Sequence, residues 1–195
     1  VAPIGVQGLL DPGGEVACAR GAAAAGVPFV LSTVASRPLE EVAAGVDALA
    51  LPAAPPRWFQ LYRPNDPALA RSLIGRAEAA GYEAVVVTLD TPTLGWRERN
   101  LALGYLPFLH GHGLANYFAD PAFRAALPAE PRDCLPAAVD HYLKVFSNLS
   151  HTWADLPAVK AMTRLPVLVK GIQDGRDAAA AVDAGADGVV VSNHG

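Results

Sequence analysis

The side chains with the clearest chemical potential in this chain follow two apolar runs near its carboxyl end. Lys170 closes the run over residues 166–171, and Ser192 and His194 follow the run over residues 188–191. A histidine exchanges protons near neutral pH, and a lysine neutralises an anion or forms an imine. Ser192 and His194 are two residues apart, so on an extended chain their side chains point to the same side. We predict that these three residues belong to one active site.

The two apolar runs have the length and composition of buried β-strands, and the alanine-rich segment between them has helical spacing. The same alternation continues towards the amino end. The predicted strands cover residues 1–6, 28–33, 57–62, 83–90, 166–171 and 188–191, and the predicted helices cover residues 15–25, 38–45, 66–80, 152–163 and 174–185. Each strand is almost continuously apolar, as in a parallel sheet that is covered on both faces.

This alternation fits either a doubly wound sheet or a (β/α)8 barrel. No G-x-G-x-x-G pattern follows the first predicted strand, which disfavours a dinucleotide-binding sheet. Polar residues end nearly every strand, as in a barrel whose active site draws on many strands. A barrel usually takes about 250 residues, whereas this chain has 195. We therefore predict one α/β domain over residues 1–195, an incomplete (β/α)8 TIM-type barrel of about six βα units without its first and last parts.

Residues 91–151 interrupt the alternation and are predicted to form a long loop, because they are rich in proline and turn-forming residues. His110 and His112 lie in this segment, but no third ligand has a suitable spacing, so we expect a solvated loop and no metal site. The chain starts inside a strand-like run at Val1, and its only methionine is Met162. We expect it to be the middle of a longer protein.

The composition argues against several classes of function. The formal net charge is −4 without a basic stripe, which argues against nucleic acid as a partner. No apolar run approaches the roughly 18–20 residues that a membrane span needs. Cys18 and Cys134 have no CxxC neighbour, which argues against a disulfide framework or a zinc site and fits a reducing compartment. Because no secretion signal is visible either, we expect a cytoplasmic protein.

Several short motifs at the predicted strand ends resemble one known family, the FMN-dependent α-hydroxy acid oxidases and dehydrogenases, which include glycolate oxidase, lactate oxidase and mandelate dehydrogenase. The Ser-Asn-His-Gly sequence at 192–195, in its strand context, is the most specific of them. Residues 95–97 and 103–108 are most similar to lactate 2-monooxygenase within the family. The motifs lie at residues 2–5, 31–33, 59–62, 88–92, 94–97, 169–171 and 192–195.

The resemblance implies a role for each catalytic candidate. His194 matches the base that takes a proton while the electron pair of the substrate C2–H bond passes to the flavin. Lys170 matches the lysine beside the flavin N1–C2=O edge, where a cation stabilises the charge of the reduced ring. Arg97 matches the arginine that binds the substrate carboxylate through two parallel hydrogen bonds. Tyr62 matches the tyrosine whose hydroxyl faces the substrate.

The resemblance also implies FMN as the cofactor, a small lactate-like L-2-hydroxy acid as the substrate, and O2 or another electron acceptor. The product is the 2-oxo acid, with oxidative decarboxylation if the similarity to lactate 2-monooxygenase holds. The full-length protein is then expected to be a homo-oligomer. The residues implied in cofactor binding are Ile4, Gly5, Ser32, Gln60, Thr88, Lys170 and Ser192.

The sequence departs from the family pattern in places. The amino-terminal segment with a second substrate tyrosine, the arginine three residues beyond the histidine, and the late loops that hold the FMN phosphate are missing. Val34 stands where some members have tryptophan, so substrate side-chain specificity does not carry over.

Two other hypotheses remain open at this point. Lys170 could be the imine-forming lysine of an aldolase-type barrel, a lyase that needs no flavin. Alternatively, the chain could be a truncated, non-catalytic piece with open sheet edges. Simpler interpretations also exist for single residues: Tyr62 could be a core aromatic, Asp90 could only cap a turn, and Arg99 could form a surface ion pair.

Overall fold

Five parallel strands form one sheet and follow each other in the order of the sequence. The computed structural model describes residues 1–93, 95–146 and 149–195. Each connection between neighbouring strands contains at least one α-helix, as parallel neighbours require. The strands are β1 (Phe29–Ser32), β2 (Arg57–Leu61), β3 (Ala84–Thr88), β4 (Val167–Ile172) and β5 (Gly188–Val191).

The helices begin and end close to their sequence signals. Asp66 and Asp174 accept hydrogen bonds from free N–H groups at the starts of α3 and α9, and Thr152 and Asp155 form a capping box before α8. No helix in the described ranges is long and apolar enough to span a membrane. The helices are α1 (Gly14–Ala24), α2 (Leu39–Asp47), α3 (Pro67–Ala79), α4 (Glu98–Leu103), α5 (Ala115–Phe118), α6 (Pro121–Ala125), α7 (Leu135–Phe146), α8 (Leu156–Lys160) and α9 (Gly175–Asp183), with 3-10 turns at Gln7–Leu9, Pro107–His110 and Trp153–Asp155.

Apolar packing covers both faces of the sheet in its centre. Val85, Val86 and Val87 are consecutive on β3, so they point to alternate faces, and all three are buried. This confirms the prediction of a parallel sheet with continuously apolar strands. The last strand differs, because Val191 is 81% exposed and β5 forms an edge of the sheet in this chain.

The prediction of a first strand over residues 1–6 is wrong. Val1 and Ile4 are 47% and 53% exposed, and Val6 has a left-handed backbone with a φ of 50°. This segment runs beside β1 but makes only separate backbone bonds to it, from Val30 N to Val1 O and from Val6 N to a carbonyl after β1. Proline at position 3 has no N–H to continue a ladder. Within residues 1–93, 95–146 and 149–195 the sheet therefore has five strands, and the prediction of about six βα units counted one strand too many.

The segment 91–151 differs from the predicted long loop, because it contains helices α4, α5, α6 and α7. Tyr117, Phe123 and Tyr142 from these helices are fully buried. Proline at the first turn of α6 and the apolar spacing of α7 are helix signals that the high proline content concealed. Leu94, which belongs to one of the family motifs, lies outside the described residues, as do positions 147 and 148.

Candidate active site

The carboxyl ends of β2, β3 and β5 bring three polar side chains together. His194 Nδ1 lies 2.8 Å from Asp90 Oδ1, and His194 Nε2 lies 3.4 Å from the Tyr62 hydroxyl. An ionised carboxylate can only accept, so in the neutral form of the imidazole Nδ1 carries the proton and Nε2 has the lone pair. The histidine side chain is 31% exposed, whereas that of Asp90 is 10% exposed. The imidazole therefore presents a proton acceptor to the outside while a buried carboxylate fixes its orientation.

Lys170 lies on the other side of Asp90. Its side chain is 9% exposed, and its Nζ lies 4.0 Å from Asp90 Oδ2, beyond hydrogen-bond distance. Asp90 Oδ2 is itself buried without a hydrogen-bond partner among the described residues. Burying an ammonium group is costly unless its N–H donors find partners. Lys170 thus keeps donor capacity that the described protein groups do not use.

A chain of buried and half-buried side chains crosses the sheet near the carboxyl ends of its strands. Ser32 and Gln60 are register partners on β1 and β2, and Ser32 Oγ donates to Gln60 Oε1 over 3.1 Å. Gln60 Nε2 in turn donates to Thr88 Oγ1 over 2.9 Å. Thr88 is the register partner of Lys170, so the chain ends beside the lysine. Gln60 itself lies opposite Val86 in the register, so its side chain reaches diagonally along β3 to Thr88 and links the two register pairs.

Tyr62 is positioned by its backbone and its ring. Its N–H donates to Thr33 Oγ1 over 2.9 Å, and its ring packs edge-on against Phe146 at 5.4 Å between centroids. Burial, and to a lesser degree the charge of Asp90, raises the pKa of Tyr62 above its ordinary value, although Arg97 acts in the opposite direction. The phenol therefore stays neutral at physiological pH.

Arg97 has a different environment from the other site candidates. It is exposed and precedes α4, and its guanidinium forms no hydrogen bond or ion pair with another described residue. Its charge is nevertheless close enough to Tyr62 to oppose the rise in the pKa of the phenol. The guanidinium is thus available for a ligand at the edge of the site.

Ile4 and Gly5 lie at the margin of this arrangement. The carbonyl of Ile4 accepts from Gln7 Nε2 over 3.1 Å, and its side chain is exposed. A Cβ added to Gly5 would lie 2.6 Å from Val34 Cγ2 and 3.6 Å from Ser32 Oγ. Only a glycine therefore allows this backbone to approach the end of β1.

Ser192 and His194 do not share the face of a strand, and that part of the prediction is wrong. β5 ends at Val191, and His194 has a φ of 76° in the left-handed region. Ser192 Oγ instead accepts the backbone N–H of His194 over 3.0 Å. The turn after β5, rather than the alternation of a strand, directs the imidazole towards Asp90.

Sequence reasoning did not assign Asp90 to the site, because a polar residue at the end of a strand is equally typical of a turn cap. Its position at the carboxyl end of a parallel strand, like that of Lys170, was the available signal.

These groups fit the polar edge of a flavin ring, which offers the acceptors N1 and C2=O. Lys170 supplies unused N–H donors next to a buried row of amide and hydroxyl groups from Gln60, Thr88 and Ser32. The donor set therefore fits FMN, the cofactor that the sequence resemblance implies.

Comparison with known proteins agrees with this fit. The 4-hydroxymandelate oxidase of Amycolatopsis orientalis is 42% identical to this chain over 196 residues, which cover 100% of this chain and 50% of that protein. The L-lactate oxidase of Lysinibacillus sphaericus is 39% identical over 194 residues, which cover 100% of this chain and 48% of that protein. A crystal structure of mandelate oxidase with (S)-4-hydroxymandelic acid superposes with a TM-score of 0.77 at 42% identity, over 100% of this chain and 50% of that one.

The chain spans about half the length of the curated relatives it matches. The sequence profile of the FMN-dependent dehydrogenases nevertheless matches all of residues 1–195. The chain therefore belongs to the FMN-dependent dehydrogenase family, together with α-hydroxy acid oxidases.

Proposed function

We propose that the protein containing this chain oxidises a small L-2-hydroxy acid, such as lactate, to the 2-oxo acid, with FMN as the cofactor. The observation that carries this proposal is the arrangement of Asp90, His194 and Tyr62 beside Lys170. It combines an oriented proton acceptor, a neutral hydroxyl donor and a cation, the three groups that the oxidation of an alcohol by a flavin requires.

The residues divide the reaction between them. Oxidation of the CH–OH group removes two electrons and two protons, of which bound FMN would accept both electrons and one proton. His194 Nε2 takes the other proton, and the imidazolium that forms is stabilised by the Asp90 carboxylate at Nδ1. The Tyr62 hydroxyl, 3.4 Å from Nε2, donates to the substrate oxygen. The exposed guanidinium of Arg97 holds the substrate carboxylate through two parallel bonds.

The flavin ring would be held by Ser32, Gln60 and Thr88 along the sheet, with the Lys170 ammonium next to the ring edge that gains negative charge on reduction. Ser192 and the backbone of Ile4 and Gly5 would complete the contacts. The close approach of Gly5 to the end of β1 supports this placement.

We also propose that the five strands are an arc of a (β/α)8 barrel. The consecutive parallel order of the strands and the superposition with one half of a mandelate oxidase support this fold. The exposed edge at β5 would then pair with strands of the longer protein. A cytoplasmic homo-oligomer is our proposal for that protein.

We favour lactate over an aromatic acid as the substrate, because residues 95–97 and 103–108 resemble lactate 2-monooxygenase. On the same resemblance, O2 would serve as the electron acceptor. The relatives named after lactate and after hydroxymandelate have nearly equal identity, at 39% and 42%. An imine-forming role for Lys170 is disfavoured because the family match points to a flavin enzyme.

The test is anaerobic mixing of the FMN-loaded, full-length protein with L-lactate, D-lactate and L-mandelate. Bleaching of the flavin absorption by L-lactate, and not by D-lactate, is the expected result. In the His194→Ala variant FMN should stay bound and most of the bleaching rate should be lost. An unbleached wild-type flavin with all three acids would overturn the proposal, and trapping of a carbonyl substrate on Lys170 by borohydride would favour the aldolase alternative.

A further inference from the structure

Asn116 occupies a fully buried position between the segment 91–151 and the sheet. Its Nδ2 donates to the carbonyls of Ser32 and Thr33 over 3.2 and 3.0 Å, and its Oδ1 accepts the N–H of Leu39 over 2.8 Å. The three partners are the last residue of β1, the residue that follows it, and the first residue of α2. One side chain, 77 to 84 residues away in sequence, thus joins the end of a strand to the start of the next helix.

The bond to Leu39 replaces a local helix cap. α2 follows Pro38, whose side chain cannot accept a hydrogen bond, and the helix has no side-chain cap of its own. The first N–H group of a helix has no partner within that helix. Asn116 therefore supplies from a distance the acceptor that the sequence at the helix start lacks.

The bonds to Ser32 and Thr33 lead directly to the proposed cofactor site. Ser32 Oγ and the Thr33 N–H both contact the amide oxygen of Gln60. Thr33 Oγ1 bonds to Gln60 O and accepts the N–H of Tyr62. The backbone that Asn116 holds is therefore the backbone from which the flavin-facing amide and the substrate-facing phenol are positioned.

Asn116 is itself held in place from both sides. Its own carbonyl accepts from Arg76 Nη1 of α3 over 2.7 Å, and Ala115 N donates to the carbonyl of Ala35 over 3.4 Å. Only an amide side chain donates to two carbonyls and accepts from an N–H at the same time. A carboxylate of the same size would face the two carbonyls without a proton to share.

We infer that Asn116 is a positioning residue for the FMN site, which fixes the end of β1 so that Ser32, Gln60 and Tyr62 meet the flavin and the substrate in one geometry. This inference rests on the proposed function. It adds that the segment 91–151 helps to build the cofactor site by holding the end of β1 in place.

The test compares Asn116→Ala and Asn116→Asp with the control Phe123→Leu in the intact protein. Phe123 is fully buried in the same segment, packs on Tyr117 and makes no contact with the β1–α2 connection that is recorded among the described residues. Its truncation should lower the thermal stability through a cavity alone. The measurements are the melting temperature, the dissociation constant of FMN, the visible spectrum of bound FMN, and the hydrogen exchange of the Leu39 amide without FMN.

Both Asn116 variants should weaken FMN binding by about tenfold or more, which corresponds to about 1.4 kcal/mol. Both should also shift the bound-flavin spectrum, and Asn116→Ala, which removes the acceptor of the Leu39 N–H, should speed up exchange at Leu39. Phe123→Leu should change only the melting temperature. If Asn116→Asp does not fold, Asn116→Ser replaces it, since a hydroxyl keeps at most part of the three bonds. Asn116 variants with the FMN affinity and spectrum of the control would overturn the inference. A wild-type protein that binds no FMN would instead overturn the proposed function.

Discussion

Asp90 and His194 are 104 residues apart in sequence, and yet Oδ1 of Asp90 lies 2.8 Å from Nδ1 of His194. This contact leaves the other nitrogen of the imidazole, Nε2, facing the Tyr62 hydroxyl. It also links the ends of β3 and β5 across β4, so that the proton acceptor depends on the order of three strands.

Replacing Asp90 by asparagine should slow flavin reduction strongly. The amide keeps the size of the carboxylate but provides no charge to stabilise the imidazolium, so we expect the rate to fall by about a hundredfold or more. Rapid-mixing measurement of flavin bleaching by L-lactate checks this. Asp140→Asn is the matched control, because Asp140 is exposed and pairs with Lys144 on α7. Equal rates in the two variants would remove Asp90 from the mechanism.

Replacing Arg97 by lysine should raise KM more than it lowers kcat. A point charge cannot form the two parallel bonds that a guanidinium makes with a carboxylate. The loss of one charge-assisted bond is worth about 1.5–3 kcal/mol, so KM should rise roughly tenfold to a hundredfold. Steady-state kinetics with L-lactate provide the measurement. Arg99→Lys, two residues further along α4, should leave KM unchanged, and an unchanged KM in Arg97→Lys would contradict the proposed clamp.

The hydroxyls of Tyr142 and Tyr82 should respond in opposite ways to replacement by phenylalanine. Tyr142 Oη is buried without a hydrogen-bond partner among the described residues, whereas Tyr82 Oη donates to the carbonyl of Leu39 over 2.9 Å. Tyr142→Phe should therefore raise the free energy of unfolding, and Tyr82→Phe should lower it, each by about 1 kcal/mol. Urea unfolding at pH 8 is the measurement, and a loss of stability in Tyr142→Phe would show that its hydroxyl has a partner.

The same variant should change the response to alkali. Burial, followed by the nearby phenols, raises the pKa of Tyr142 above its ordinary value of 10.0. Below pH 10 both the folded and the unfolded chain keep the phenolic proton. As the pH rises further, only the unfolded chain releases it, so this contribution to stability is lost. Tyr142→Phe should reduce the loss by up to about 1.4 kcal/mol per pH unit above pH 10, seen by comparing unfolding at pH 10 and pH 11.

Local patterns were sufficient to predict much of this molecule. Continuous apolar runs located the five observed strands, and Asp66 marked the start of α3. The strand ends located Lys170 and His194, since parallel strands place their carboxyl ends on one side. The prediction of a strand over residues 1–6 was wrong, because amino-acid composition does not show whether a neighbouring strand forms a regular ladder of hydrogen bonds with the segment.

The remaining features depend on partners that are distant in sequence. Nothing near Asp90 distinguishes a histidine partner from a turn cap, and nothing near Asn116 indicates the carbonyls of β1. Helices α5 and α6 have only four and five residues and are stabilised by packing on the rest of the fold rather than by strong periodicity, so this proline-rich part of the sequence was predicted to be a loop.

Arg76 should contribute most to holding this segment on the fold. Its guanidinium makes two bonds with Glu40 and contacts Oδ2 of the fully buried Asp120 at 3.1 Å. Arg76→Met would leave that carboxylate without its cation, so the free energy of unfolding should fall by about 3–5 kcal/mol. Arg164→Met is the control, because Arg164 is exposed and its surface pair with Glu78 should contribute little to stability. Urea unfolding of the full-length protein measures both variants.

Equal losses of unfolding free energy in the two variants would mean that the burial of Asp120 does not depend on Arg76. A larger loss of unfolding free energy in Arg76→Met, together with weaker FMN binding, would have a different meaning. It would show that the Arg76–Asp120 contact, which anchors the segment 91–151, also supports the cofactor site through Asn116.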